Sequence, residues 1–176
     1  MKIRIILLVC TILLLHSCDK KTPVNYFDTA VLNVNTVSGF GSQELELLVS
    51  GKELKNLMGK VDDKFVVQHN AELHVRSWKI LDIENKIKSI KELEPTEDTK
   101  EMLSRSLELF NFVLEKYKTE YVSIAKLIDA GAPKSEIESK ISDFDNKELI
   151  KFNAMYEGVI EVGLPYAKAN GIEVTY

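Results

Sequence analysis

The sequence predicts an all-α fold, a helical bundle of three long helices plus an N-terminal helical segment, and three patterns carry that expectation. Val66, Leu73, Ile80 and Ile87 recur every seven residues, with Ile83 and Ile90 three residues after the last two, the spacing of one face of a long amphipathic helix. Leu103, Leu107, Phe110, Leu114, Tyr117, Tyr121, Ile124 and Ile128 alternate steps of four and three, as a helix packed against near-parallel or antiparallel neighbours requires. Ile137, Ile141 and Phe144, then Leu149, Phe152, Met155 or Tyr156, and Val159, repeat the pattern as far as Tyr166.

Taken in order, Phe27, Ala30, Val31, Val34 and Val37 fall at helical spacing after Tyr26, and Gly39 with Gly41 ends the run; the β-branched residues among them leave a strand reading open. Two short helical pieces are expected next, one over Gln43 to Val49 and one after Ser50, whose hydroxyl caps while Glu53 reaches back; Gly51 and Gly59 bound the second. The first long helix is expected over 62–92. Leu93-Glu94-Pro95 interrupts it, because proline lacks an amide hydrogen and restricts the residue before it. The second is expected over 97–130, with Glu97 and Asp98 opposing the helix dipole and Gly131 with Pro133 stopping it. Ser135 and Glu138 form a capping box for the third, Ser142 to Asn146 is a place to break it, and Gly163-Leu164-Pro165 a place to kink it. Ile172 to Tyr176 is left as a short extended tail.

The opening, MKIRIILLVCTILLLHSC, has Lys2 and Arg4, then eleven residues from Ile5 to Leu15 that are apolar except Thr11, then Ser17 and Cys18. That is the order of an export signal, and the apolar run falls short of the roughly 20 residues a membrane span needs. With Leu15 three positions before the cysteine and Ser17 directly before it, the segment resembles the bacterial lipobox. The resemblance covers about eighteen residues and implies cleavage before Cys18, a diacylglyceryl thioether on its sulfur, and an acyl chain on the new amino group. Two chains suffice for stable attachment where one does not, so the implied location is the cell envelope, on a membrane that the resemblance leaves open as inner or outer. The expected organisation is a signal peptide over 1–17, lipidated Cys18 with a tether to residue 25, and one helical domain over 26–176.

Removing residues 1–17 takes Lys2 and Arg4 with it, leaving 159 residues with 21 basic and 27 acidic side chains, a formal charge of −6. That length supports a single core, and the acidic balance argues against nucleic acid as a partner. Cys10 leaves with the signal and Cys18 carries lipid, so no thiol remains for a disulfide, a metal or a nucleophile.

Candidate chemistry is sparse, and neither a cofactor nor a metal is expected. His69 and His74 lie about 140° apart on a helix, so they do not clamp one metal as residues four apart do. The acidic pairs Asp62-Asp63, Glu97-Asp98 and Asp143 with Asp145 sit where capping and dipole compensation account for them. No G-x-S-x-G elbow accompanies the Ser, His and Asp residues. Tyr117, Tyr121, Tyr156 and Tyr166 read as core residues or as the lining of a pocket, and Gly158 and Gly163 as points of close helix approach or of room for a ligand. If 62–92 and 97–130 form an antiparallel hairpin, His69 lies beside Tyr117 and Tyr121 and Arg76 near Phe110 and Leu114, a polar cluster on the inward face. Two function classes stay open: a noncatalytic, lipid-anchored protein-binding or adaptor module, and a lipoprotein immunity protein that neutralises a toxin. A small-ligand-binding protein or enzyme stands third.

Overall fold

The computed structural model describes residues 21–62 and 64–174; Cys18, the leader over 1–17 and the first residues of the tether lie outside them. The described chain is predominantly helical, with one small antiparallel sheet. Helix α1 spans Pro23–Ala30, followed by a 3₁₀ turn over Leu32–Val37. It starts inside the segment expected as tether, because Pro23 supplies a ready-made first-turn φ and Thr22 exchanges capping hydrogen bonds with Asn25. Helix α2, Ser42–Glu53, is one element rather than two: Gly51 lies within it, and the Ser50 hydroxyl donates back to the carbonyls of Glu46 and Leu47 instead of capping.

The main departure from expectation follows. Residues 57–68 form a β-hairpin, β1 Leu57–Val61 and β2 Lys64–Gln68, paired from Leu57 with Gln68 to Val61 with Lys64. Val61, Phe65, Val66 and Val67 favour a strand, and Asp62 takes the left-handed conformation, φ 48°, that a two-residue turn requires. Val66 is therefore not on the helical stripe. Helix α3 begins only at Ala71, capped by the Asn70 side chain, and runs as Ala71–His74, a π-helical turn Val75–Ile80, and Leu81–Lys91.

After the Pro95 connection, where Thr96 and Thr99 bond through their hydroxyls, helix α4 runs as Lys100–Lys116, a second π-turn Tyr117–Tyr121, and Val122–Asp129. It starts later than the acidic residues suggested and ends, as expected, at Gly131, whose φ of 70° stops an α-helix. Helix α5, Lys134–Ala169, is continuous through Ser142 to Asn146 and through Pro165, which falls in its last turns; Ser135 does not cap it. Ile172 to Val174 leave the helix.

Helices α3 and α4 pack as the expected hairpin, and α5 packs along α4 and reaches α1. Their interface buries Ile83, Ile87, Ile90, Leu109, Phe110, Val113 and Val159 with Phe27, Ala30 and Val34 of the N-terminal segment. Leu107, expected on the buried stripe, is only half-buried, since Leu109 and Phe110 take the innermost positions. Lys116 of α4 and Glu148 of α5 form a buried ion pair at 3.2 Å between those helices. Gly163 meets Val31 at the end of α1, where an added Cβ would lie 2.6 Å from a valine methyl. No described helix is long and apolar enough to cross a membrane.

Candidate functional site

The two π-turns, in α3 and α4, lie against each other. Such turns insert an extra residue into a helix and recur at functional sites. Here they aim Lys79 from α3 and Tyr117 and Tyr121 from α4 at one carboxylate, Glu44, which α2 presents from its first turn. Glu44 is 9% exposed. The Tyr117 hydroxyl lies 2.9 and 2.7 Å from its two oxygens, the Tyr121 hydroxyl donates to Oε2 at 3.2 Å, and Lys79 pairs with Oε1. Tyr121 in turn accepts the Gly41 amide at 2.7 Å, at a backbone whose φ of 105° a side chain rarely adopts. The tyrosine rings lie 4.7 Å apart, and Phe40 stacks on Phe152 at 4.5 Å and on Tyr121 at 5.6 Å to close the group from below.

Burial, and then the Glu44 charge, push both tyrosine hydroxyls well above their ordinary range. They are fixed as neutral donors, and with Lys79 they occupy both oxygens of Glu44. The arrangement ties three helices together at one carboxylate.

Beside it is a cleft of about 260 Å³, with walls of Leu47, Leu48, Leu57, Met58 and Trp78 and a polar floor of Glu44, His74, Lys79 and Tyr121. The Nδ1 of His74 bonds the Met58 carbonyl, so it carries the proton and Nε2 the lone pair. Burial, and the nearby Lys79 charge, lower the affinity of His74 for a second proton, against a smaller opposing pull from the Met58 carbonyl and Glu44. A wider groove, about 840 Å³, runs between α2 and the first half of α5 and is lined by Glu46, Val49, Lys52, Ile137 and Ile141 among others. No group of three or more metal-ligating side chains occurs among the described residues.

The structure corrects the expected cluster. Tyr117 and Tyr121 come together as expected, but His69 is exposed in the loop before α3, where its carbonyl accepts from Lys52 Nζ at 2.5 Å. Arg76 is exposed and bonds Glu72 one turn back at 2.8 Å. His69 was placed by a helix expected to start nine residues too early, and Arg76 by an inward stripe through Val66 and Leu73, of which the first lies in β2 and the second is exposed. Tyr156 is half-buried and donates to Asn35 at 2.9 Å, and Tyr166 is half-buried. Gly163 allows the close approach of Val31, while the Gly158 carbonyl accepts from Arg105 at 3.1 Å. Glu44, Lys79 and His74 were missed. The available signal was Glu44 in the first turn after Gly41; nothing local marked its partners, which come from 35 to 77 positions further along the chain.

No family model matches the chain. No curated protein and no solved structure matches it either.

Leu47 on α2, Leu54 at its end and Ile150 on α5 are exposed apolar side chains, and the hairpin carries a further group. Phe65, Val67 and Val61 are 64%, 54% and 46% exposed, and Leu73 at the start of α3 is 41% exposed. Phe65 leans on Trp78, ring centroids 5.0 Å apart.

Proposed function

We propose that this chain is a lipid-anchored envelope protein whose helical domain recognises a protein partner without catalysis, with the β1–β2 hairpin as the docking element. One observation carries the reading: the exposed apolar hairpin stands at the end of the domain opposite its N-terminus. The Tyr26 hydroxyl donates to the Glu94 carbonyl at 2.7 Å, which holds the start of the chain beside the α3–α4 turn. The hairpin packs on the first half of α3, with Phe65 against Trp78, so that about 13 helical residues, or about 20 Å at 1.5 Å per residue, separate it from the end of α3 at Lys91. The three residues between Cys18 and Thr22 let these two lie at most about 13 Å apart. A lipid on Cys18 therefore keeps the α3–α4 turn near the bilayer and presents Phe65 and Val67, which share one face of β2, away from it. Exposed apolar side chains grouped in this way mark contact surfaces rather than ordinary solvated ones.

The test places a photoreactive amino acid at Phe65, and separately at Ser104, in the full-length protein in its own membrane. The expected result is one discrete protein adduct from position 65 that is absent from position 104. An absence of adducts at 65, or the same adducts from both positions, overturns the reading. The identity of the adduct separates an envelope component from an incoming toxin.

A further inference from the structure

We propose that the outer edge of β2 accepts an extended segment of the partner protein as an added β-strand; this rests on the reading of the hairpin as the docking element. In an antiparallel pair, residues alternate between those whose N–H and C=O face the partner strand and those whose groups face outwards. Two contacts fix the phase here. The Met58 carbonyl accepts from His74, and the Lys60 amide donates to the Ser77 hydroxyl at 3.4 Å, so Met58 and Lys60 turn their backbone groups outwards and α3 covers them. Their cross-strand partners are Val67 and Phe65. The N–H and C=O groups of Phe65 and Val67 must then point outwards from β2, where no hydrogen bond to another described residue meets them.

The two edges of this sheet are thus treated differently: α2 and α3 cover the edge of β1, whereas β2 meets α3 through its first turn and the Phe65 ring and leaves its outer edge open. Uncovered edges are usually blunted by proline, a bulge or an inward charge. Residues 64–68 carry no proline and pair without a bulge; their one charge, Lys64, sits beside the turn, and the two residues whose groups face outwards bear apolar side chains. An added strand finds donors and acceptors from Phe65 and Val67 and, on the same face as these side chains, apolar purchase for every second residue.

The size of the edge identifies the occupant. Five residues extend only about 17 Å, and a strand that short does not supply the roughly 800 Å² per partner of a stable folded interface. A second copy of this domain meeting edge to edge falls short of that, whereas an extended segment fits. With cleavage before Cys18, as proposed, the few residues that precede Thr22 are too short to bring the chain's own N-terminus to this edge.

The experiment repeats the position-65 crosslink in the full-length, membrane-bound protein carrying Val67→Pro or Val67→Ala. Proline removes an outward amide that the internal ladder does not use and is tolerated on edge strands; alanine trims the side chain and keeps the amide. Val67→Pro is expected to lower adduct yield at least tenfold, Val67→Ala less than threefold, and peptide mapping is expected to place the crosslink in one contiguous partner segment. Thermal unfolding checks that the proline variant folds. Should it not, the α-hydroxy acid analogue of valine at 67, which replaces only the N–H, is expected to lower the yield several-fold. An undiminished adduct in the folded proline variant, or in the ester variant, overturns strand addition while leaving docking at the hairpin intact. An adduct of twice the chain's own mass assigns the edge to a second copy and overturns it too, and the absence of any adduct in the unsubstituted protein removes both readings.

Discussion

Glu44 shows how one side chain can set the conformation of its surroundings. A carboxylate at 9% exposure is tolerable only with its oxygens bonded, and two tyrosines and Lys79 do this. Tyr117→Phe keeps the ring packing and removes the donor that lies within reach of both carboxylate oxygens, leaving a buried acceptor short of a partner. It is expected to destabilise the domain by about 1–3 kcal/mol, measured by urea unfolding, and Ser104→Ala on the exposed face of α4 is expected to change little. His74 supplies a pH dependence whose sign follows from its environment. Burial depresses its folded affinity for a proton, so the unfolded chain takes up protons first as pH falls below the ordinary value of 6.5. Stability is full above that value and declines below it, and His74→Gln is expected to flatten the decline between pH 6.5 and 5. The tyrosines were legible in the sequence because four-three spacing reports the face of a helix directly. Their partner was not, because side chains that meet across elements leave no local pattern.

At the scale of elements, the sequence misleads at one place for a physical reason. Val66 and Leu73 continue the seven-residue phase of Ile80 and Ile87, yet Val66 sits in β2 and Leu73 is 41% exposed. Two turns of coincidence outweighed the local strand cue of Val61, Phe65, Val66 and Val67. The true start of α3 is enforced from a distance. The Asp129 carboxylate accepts the amides of Ala71 and Glu72 at 2.8 and 2.9 Å and pairs with Lys52 at 2.6 Å. Burial alone would raise its pKa, but these amides and the lysine outweigh burial and hold it below the ordinary 3.8. Asp129→Ala is expected to cost about 1–2 kcal/mol, the worth of a helix cap, and the contribution it removes is one present above pH 3.8 and lost as pH falls below it. Denaturant midpoints of the variant and its parent should therefore converge in strong acid. The long helices themselves were read correctly from periodicity, with α5 simply more continuous than its polar stretch suggested, since neighbours on α4 hold Ile141 and Phe144 buried through it.

For the whole molecule, the proposed attachment is separable from packing. Cys18→Ala is expected to release the protein from membranes after a high-salt wash while leaving its circular dichroism and unfolding midpoint unchanged, because the capped start of α1 at Thr22 closes the domain without the lipid. Gly163→Leu is expected to have the opposite profile, retained on the membrane but destabilised by about 1–3 kcal/mol, since Val31 fills the space that the new side chain needs. That contact also bears on the order of events during synthesis. Val31 emerges early, and the groove that receives it, at Gly163, is among the last parts made; Tyr156 and Asn35 meet across a similar interval of 121 positions. The α3–α4 hairpin depends on nearer contacts and can close while the chain is still growing. A chain exported N-terminus first, as proposed, would hold its first helix undocked until almost the whole sequence had crossed, so any truncation before residue 163 would strand an apolar segment and leave it open to the aggregation that unfinished cores invite.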